Sequence, residues 1–189
     1  MRTLVVTGLV LVTFGAVGCT SRHHDSADLQ RLRTVADLDR CPNTGPDDVK
    51  AKLPDLTLDC LGAGPRVHIS GLRGIPTLIN VWGSWCTPCQ REVPALQTVY
   101  AAAGGRLRVL GVDTEDDHAS ALDFAAHAHM KYPSVIDDDG AFIRALGRNA
   151  TPMTLFVNES GVVVHTAYGQ FRNVGDIKAQ LQRYFGIAA

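Results

Sequence analysis

Residues 81–89 read VWGSWCTPC and place two thiols, those of Cys86 and Cys89, three positions apart. The overlapping run 76–82, PTLINVW, is short and rich in β-branched and aromatic side chains, which predicts a buried central strand. The residues after Cys86 turn helical, and Pro88 then falls in the first helical turn, where its missing N–H is not needed. The stretch therefore predicts a dithiol at a junction between a strand and a helix.

The position of each thiol predicts its role. Cys86 lies at the helix start, where free N–H groups and the helix dipole stabilise a thiolate and lower the pKa of the thiol. It is therefore the predicted nucleophile. Cys89 lies one turn deeper, within reach of a mixed disulfide on Cys86 but shielded from solvent, and it is the predicted resolving thiol.

The wider motif resembles that of the thioredoxin superfamily, and within it of the TlpA/ResA-like membrane-tethered thiol-disulfide oxidoreductases. The hallmark of that group is a strand ending in WxxWCxPC, followed by a Glu and a Pro, which here are residues 82–89, Glu92 and Pro94. The resemblance extends from about Leu53 to Phe185. It implies an α/β, thioredoxin-like fold: a mixed central sheet with helices on both faces and an N-terminal β-hairpin extension.

The same resemblance implies a client-binding surface beside the dithiol. Pro152 stands at the start of a predicted strand, at the position where thioredoxin-like proteins carry a cis-proline facing the two thiols. A cis-proline there leaves the backbone of Thr151 free to pair with an extended client chain beside Cys86. Trp85 is expected to shape the client-binding surface around the thiols.

Proton transfer to and from the resolving thiol needs a base. Thioredoxins carry a buried Asp six residues before the nucleophile for this purpose, and this chain has Asn80 there, whose amide cannot act as the base. Glu92, one turn after Cys89, is the nearest acidic alternative. An exposed helix carboxylate without a catalytic role is the competing interpretation of Glu92.

The composition limits the class of protein. With 189 residues, 46% of them hydrophobic and 20% charged, the chain predicts one globular domain plus an appendage. Its net charge of −1 comes without basic clusters, which excludes nucleic acid as a partner because phosphate binding needs concentrated Lys and Arg. A lone CxxC can also be a structural disulfide or half of a zinc site, but the second ligand pair is missing, so no metal and no cofactor are expected.

The first residues predict a targeting segment. Residues 4–17 form an apolar run that is short for a membrane span of roughly 20 residues, which predicts a signal peptide over residues 1–18. The small residues 16–18 before Cys19 resemble a bacterial lipobox, so Cys19 is predicted to be lipidated. An uncleaved signal anchor is the alternative, and both interpretations place the domain at the extracytoplasmic face of the cell membrane.

Residues 19–40 are predicted to be a polar tether with at most one marginal helix, and residues 41–189 the thioredoxin-like domain. Cys41 and Cys60 are then the cysteines left without a role. Because two cysteines remain, we predict a structural disulfide between them, formed in an oxidising compartment. A second redox pair that relays electrons to Cys86 is the alternative.

The expected function is that of an extracytoplasmic oxidoreductase that exchanges disulfides with secreted or envelope proteins through Cys86 and Cys89. The resemblance implies apocytochrome c as a client. A membrane electron donor or acceptor is the expected partner, and the protein is expected to be a monomer. The motif does not fix the direction of electron flow, so an oxidase that inserts disulfides is an alternative. A non-enzymatic lipoprotein that only binds clients is another.

Lipidation at Cys19 has a direct test. We expect the Cys19→Ser variant to lose all labelling by a fatty-acid analogue, because the thiol that accepts the lipid is gone. Labelling is measured in whole cells, with Cys41→Ser as the control that keeps the lipobox. Lipid uptake by the Cys19→Ser protein would contradict the prediction.

Overall fold

The computed structural model describes residues 26–45, 53–148 and 150–187. The predicted signal peptide, Cys19 and the start of the predicted tether lie outside these ranges. Within them, none of the helices has both the length and the apolar character that crossing a membrane requires.

Strands and helices alternate along the chain. The strands are β1 (Thr57–Cys60), β2 (Val67–His68), β3 (Thr77–Trp82), β4 (Arg108–Thr114), β5 (Ser134–Asp137), β6 (Met153–Val157) and β7 (Val163–Tyr168). The helices are α1 (Ser26–Ala36), α2 (Thr87–Ala103), α3 (His118–His127), α4 (Ala141–Ala145) and α5 (Val174–Phe185), with a short 3-10 turn at Ile69–Gly71.

The strands form one sheet in the order β2-β1-β5-β4-β3-β6-β7. The central neighbours β3, β4 and β5 run parallel, whereas β6 pairs antiparallel with β3, and β7 antiparallel with β6. At the other edge, β1 and β2 form the antiparallel hairpin and join the sheet through β5. This confirms the predicted mixed sheet with an N-terminal hairpin extension.

The central strand β3 is buried along its whole length, as its apolar composition predicts. Its side chains alternate between the two faces of the sheet. Leu78 and Trp82 pack into a core cluster covered by α1, α2, α3 and α5. Ile79 and Val81 pack into a second cluster with Phe142 of α4 and residues of the hairpin. Helices therefore cover both faces, which confirms the predicted fold class.

The helix that carries the dithiol has clear end signals. Cys86 is its N-cap residue, and Pro88 lies in its first turn. At the other end, Gly104 has the left-handed φ of 55° that suits a glycine at a helix terminus. The helix therefore begins after Cys86, as the sequence predicts, and ends at Gly104.

Helix α1 packs on the domain, although the sequence analysis assigned this segment to a tether. Leu29 and Leu32 are partly buried against the first core cluster, and Ala36 is buried within it. The side chain of Arg33 adds a hydrogen bond from its Nε to the Leu61 carbonyl at 3.0 Å. The few apolar residues of α1 are enough to hold the helix on the domain, because they pack against α3. The sequence of α1 alone does not reveal this packing surface.

A disulfide joins Cys41 to Cys60, 19 positions apart, with a Cα–Cα distance of 6.0 Å. It ties the segment after α1 to strand β1, and both cysteines are buried. Nearby, Cys41 N–H donates to the Ala63 carbonyl at 3.0 Å. The backbone of Gly64, at a φ of +134°, lies against the backbone of Cys41. A Cβ at this position would be 2.7 Å from the Cys41 nitrogen, so only glycine fits without a shift.

Removing this bridge should lower the free energy of unfolding by about 3 kcal/mol, because a closed loop of this length restricts the unfolded chain. The test compares Cys41→Ala/Cys60→Ala with its parent by guanidinium unfolding. Both proteins carry Cys86→Ala and Cys89→Ala, so that the dithiol cannot reshuffle the bridge. A loss below 1 kcal/mol would argue against a stabilising role.

Candidate active site

Cys86 and Cys89 form a disulfide at the start of α2, with an S–S distance of 2.04 Å and a Cα–Cα distance of 5.2 Å. The Cys86 sulfur accepts a hydrogen bond from the Cys89 N–H at 3.3 Å, so it lies beside the free amides of the first turn. Cys86 is 4% exposed and Cys89 is fully buried. The structure is therefore the oxidised form, in which the outer sulfur is the one nearer to solvent.

A turn delivers Cys86 to the helix. It closes with a hydrogen bond from the Cys86 N–H to the Gly83 carbonyl at 3.1 Å. At its corner, the Ser84 hydroxyl donates to Oδ1 of Asp116 at 2.9 Å, and the Ser84 N–H donates to Oδ2 of the same carboxylate. Gln90 donates to the Ser84 carbonyl at 2.6 Å. Both sides of the turn are thus anchored, one by α2 and the other by the loop after β4.

The two tryptophans of the motif take different places. Trp85 is 54% exposed, and its indole lies over Gly83, where a Cβ would come within 2.6 Å of the indole nitrogen. Trp82 is fully buried and packs against Phe124 with ring centroids 5.5 Å apart. Trp85 therefore offers an apolar surface next to Cys86, whereas Trp82 supports the core.

Pro152 lies at the same end of the sheet as the turn that leads from β3 to Cys86. The Thr151–Pro152 peptide bond is cis. Strand β6 begins at the next residue, Met153, which pairs with Val81 near the end of β3. The Pro152 carbonyl accepts a hydrogen bond from Gly169 N–H at 3.0 Å. Register thus places the Thr151–Pro152 bond beside the end of the strand that leads to Cys86.

Glu92 is a fully buried residue of α2, so the competing interpretation of an exposed carboxylate is wrong. Its Oε1 accepts from Asn80 Nδ2 at 2.7 Å, and its Oε2 from Phe171 N–H at 2.9 Å. Burial raises the pKa of Glu92 from 4.5 to about 7, although both hydrogen bonds favour the charged form. A carboxyl with this pKa exchanges protons at neutral pH.

Asp113 is a second buried carboxyl, 1% exposed, and the sequence analysis did not identify it. It pairs in register with Trp82, at the end of β4. Burial is the largest cause that raises its pKa, from 3.8 to about 9, and the neighbouring carboxyl of Asp116 is the next. Asp113 lies near the end of β4 and Asp116 just after it, and β4 is the parallel neighbour of β3, so this adjacency is the signal that could have revealed them.

The predicted site residues thus fall into separate groups. The two thiols, Trp85 and Glu92 belong to one end of the sheet, and the backbone register brings Thr151 and Pro152 to the same end. Cys41 and Cys60 belong to the opposite core cluster, and Cys19 lies outside the described residues. No group of three or more candidate metal ligands occurs within the described ranges.

The family model described as Redoxin matches residues 48–181. The chain belongs to the Redoxin family. The match covers the hairpin, the dithiol and the cis-proline, and it agrees with the resemblance to the thioredoxin superfamily and its ResA-like members.

Individual relatives of this Redoxin chain have related activities. Thiol-disulfide oxidoreductase ResA of Bacillus subtilis is 25% identical over 169 residues, which are 89% of this chain and 86% of that protein. Thiol:disulfide interchange protein DsbE of Pseudomonas fluorescens is 37% identical over 111 residues, 58% of this chain and 61% of that protein. The structure of MTB DsbF is similar in fold, with a TM-score of 0.63 at 22% identity over 70% of this chain and 99% of that one. This Redoxin is accordingly a thiol-disulfide oxidoreductase.

The raised pKa of Glu92 predicts a specific dependence of stability on pH. Because the folded state holds this proton more tightly than the unfolded state, the stability it contributes is complete below pH 4.5 and declines as pH rises through about 7. The shift corresponds to at most about 3 kcal/mol. Glu92→Gln should flatten this decline.

The measurement is guanidinium unfolding of the oxidised protein between pH 4.5 and 7.5. Glu159→Gln, at an exposed glutamate, is the matched control and should keep the wild-type slope. Equal slopes for wild type and Glu92→Gln would show that folding does not raise the pKa of Glu92.

Proposed function

We propose that this protein is a lipid-anchored, extracytoplasmic enzyme that exchanges disulfides with secreted and envelope proteins, with Cys86 as nucleophile and Cys89 as resolving thiol. The observation that carries the proposal is the asymmetry of the pair. Cys86 is the N-cap residue at the surface end of α2, and Cys89 is fully buried one turn deeper. Exchange requires one accessible thiolate and one thiol that is protected until the mixed disulfide forms.

In the first step, the reduced Cys86 thiolate attacks one sulfur of a client disulfide. A bond forms between the Cys86 sulfur and that client sulfur, and the other client sulfur leaves as a thiolate, which takes up a proton. The Cys89 N–H, which points at the Cys86 sulfur, and the helix dipole stabilise the attacking thiolate.

In the second step, Cys89 loses its proton and attacks the Cys86 sulfur. The Cys86–Cys89 disulfide forms, the second client thiolate leaves, and two electrons have passed from the enzyme to the client. Glu92 accepts the Cys89 proton in this proposal, because it lies one turn further along the same helix and its pKa of about 7 allows it to take up a proton at neutral pH. Read in the opposite direction, the same steps insert a disulfide.

The client chain lies across Trp85, Thr151 and Pro152. The exposed indole of Trp85 gives apolar contact beside Cys86. The Thr151 backbone, just ahead of the first ladder pair of β6, offers hydrogen bonds to an extended client segment. Recognition through backbone groups suits an enzyme that acts on many client sequences.

Location and partners follow from the N-terminal segment and the cysteines. The lipobox-like residues before Cys19 support a lipid anchor at the extracytoplasmic face, and the Cys41–Cys60 disulfide supports an oxidising compartment. A membrane electron donor or acceptor resets the dithiol after each cycle. Apocytochrome c is a client in this proposal, supported by the resemblance to the TlpA/ResA-like group.

Trapping separates the roles of the two thiols. Cys89→Ser should accumulate mixed disulfides between Cys86 and clients, because the captured client can no longer be displaced. Cys86→Ser should capture none. The adducts are counted on non-reducing gels of envelope extracts after acid quenching, with the Cys86→Ser/Cys89→Ser double variant as the background. Adducts on Cys86→Ser but not on Cys89→Ser would reverse the assignment.

A further inference from the structure

Four neighbouring strands present their residues in a fixed order at the end of the sheet that carries the dithiol. The strands are β4, β3, β6 and β7, and their registers bring the ends of β3 and β4 together with the start of β6 and the end of β7. Residues 115–117 follow β4, residues 83–86 follow β3, residues 151–152 precede β6, and Tyr168 ends β7. A client chain that reaches Cys86 therefore has the β4 loop on one side and the end of β7 on the other.

Hydrogen bonds between these segments hold the order in place. The Ser84 hydroxyl donates to the Asp116 carboxylate at 2.9 Å, which joins the dithiol turn to the β4 loop. The N–H of Gly169, the residue after Tyr168, donates to the Pro152 carbonyl at 3.0 Å, which joins the end of β7 to the cis-proline. Both sides therefore keep their positions relative to the dithiol.

The side formed by the β4 loop is acidic. Residues 115–117 read EDD. Glu115 is exposed, and it forms no ion pair within the part of the chain that the structure describes. Asp117 is exposed as well, and it accepts a hydrogen bond from a neutral donor, the Ser120 N–H, at 2.9 Å. The negative charge of Glu115 is therefore not compensated by any described residue.

The side formed by the end of β7 is basic. Arg148 is exposed, and its guanidinium carbon lies 5.2 Å from the centre of the Tyr168 ring. Arg91, exposed on α2, donates from its Nε to Oε1 of Gln170, two residues after Tyr168, at 3.0 Å. Neither arginine forms an ion pair with a described residue. Both guanidinium groups keep their positive charge and have N–H donors left for a ligand.

The Tyr168 ring gives the positive charge of Arg148 a defined place. A guanidinium over an aromatic face is attracted by the electrons of the ring, so this contact holds Arg148 at the end of β7. The ring is also 59% exposed. It therefore offers apolar contact on this side, as Trp85 does beside Cys86.

The spacing of the strands gives the length of client chain that spans both sides. Neighbouring strands lie about 4.8 Å apart, so β4 and β7, three spacings apart, are about 14 Å from each other. An extended chain covers this distance in about four to five residues. A client segment centred on its cysteine therefore places one flank at the acidic side and the other flank at the basic side.

We propose that Glu115 on one side, and Arg148 with Tyr168 on the other, form a charge-divided groove that selects client cysteines with basic residues on one flank and acidic residues on the other. The proposal rests on the proposed function, since it takes the client chain to lie across Trp85 and Thr151. Each side attracts the flank of opposite charge and repels the flank of like charge. The groove therefore also sets the direction in which the client chain enters.

The first test compares two client peptides that differ only in the order of their residues. One has two lysines before Gly-Cys-Gly and two glutamates after it, and the other has the two pairs exchanged. Both are blocked at their ends and supplied as symmetric disulfides, so the attack by reduced enzyme releases the same peptide thiol from either sulfur. The release is measured by acid quenching and chromatography, and each rate is divided by the rate with dithiothreitol.

We expect wild type to react with one of the two peptides at least threefold faster than with the other at 10 mM salt. At 1 M salt the ratio should approach one, because charges are then screened beyond about 3 Å. Equal rates at 10 mM salt would overturn the proposal.

A charge-swapped variant assigns the preference to the groove. Glu115→Lys/Arg148→Glu keeps the net charge of the protein and should reverse the preferred order. Lys178→Glu/Glu159→Lys exchanges the same types of charge at exposed positions outside the groove, and it should keep the wild-type ratio. An unchanged preference in Glu115→Lys/Arg148→Glu would overturn the proposal.

Substitutions of Tyr168 test the part of the ring. Tyr168→Phe should keep the wild-type ratio, because a phenyl ring also attracts the guanidinium of Arg148. Tyr168→Leu should lower the ratio at least twofold, because Arg148 is then no longer held at the end of β7. A full preference in Tyr168→Leu would overturn the role given to Tyr168.

Failure of the groove is distinguishable from failure of the proposed function. Equal rates with both peptides, from a protein whose Cys89→Ser variant still traps clients, would overturn the groove alone. No reaction with either peptide, together with no trapped client, would refute the proposed function.

Discussion

The buried carboxyl of Glu92 connects the elements that hold the dithiol. It lies on α2 and accepts hydrogen bonds from Asn80 of β3 and from the backbone of Phe171, in the segment between β7 and α5. A buried polar group without its partners costs on the order of 1–3 kcal/mol, so α2 can lie over β3 only where both bonds are made. These two hydrogen bonds therefore fix the rotation of α2 about its axis. They also fix how deeply Cys89, one turn before Glu92, is buried.

Local signals in the sequence predicted the elements that present the thiols. A cysteine followed by Pro88 marks a helix start, Gly104 marks its end, and the apolar run before the motif marks a buried strand. Each of these signals depends on residues only a few positions apart, so it can be recognised in the sequence without knowledge of the tertiary structure.

What the sequence did not reveal depends on contacts between distant segments. Asp116 and Ser84 are 32 positions apart, and only the parallel pairing of β3 with β4 brings them together. A charged loop after a strand is usually solvated, and nothing local distinguishes this one. Helix α1 is a similar case, because its weak apolar series becomes meaningful only against the surface of α3.

The two buried carboxyls near the dithiol differ in what surrounds them, and this difference sets their pKa values apart. Glu92 accepts hydrogen bonds from donors that favour its charge, so burial raises its pKa only to about 7. No donor among the described residues reaches Asp113, so burial, and after it the neighbouring carboxyls, raise its pKa to about 9. A group that exchanges a proton in every cycle needs a pKa near the ambient pH. Of the two carboxyls, Glu92 is the one with such a pKa, so it is the one suited to exchanging a proton with Cys89.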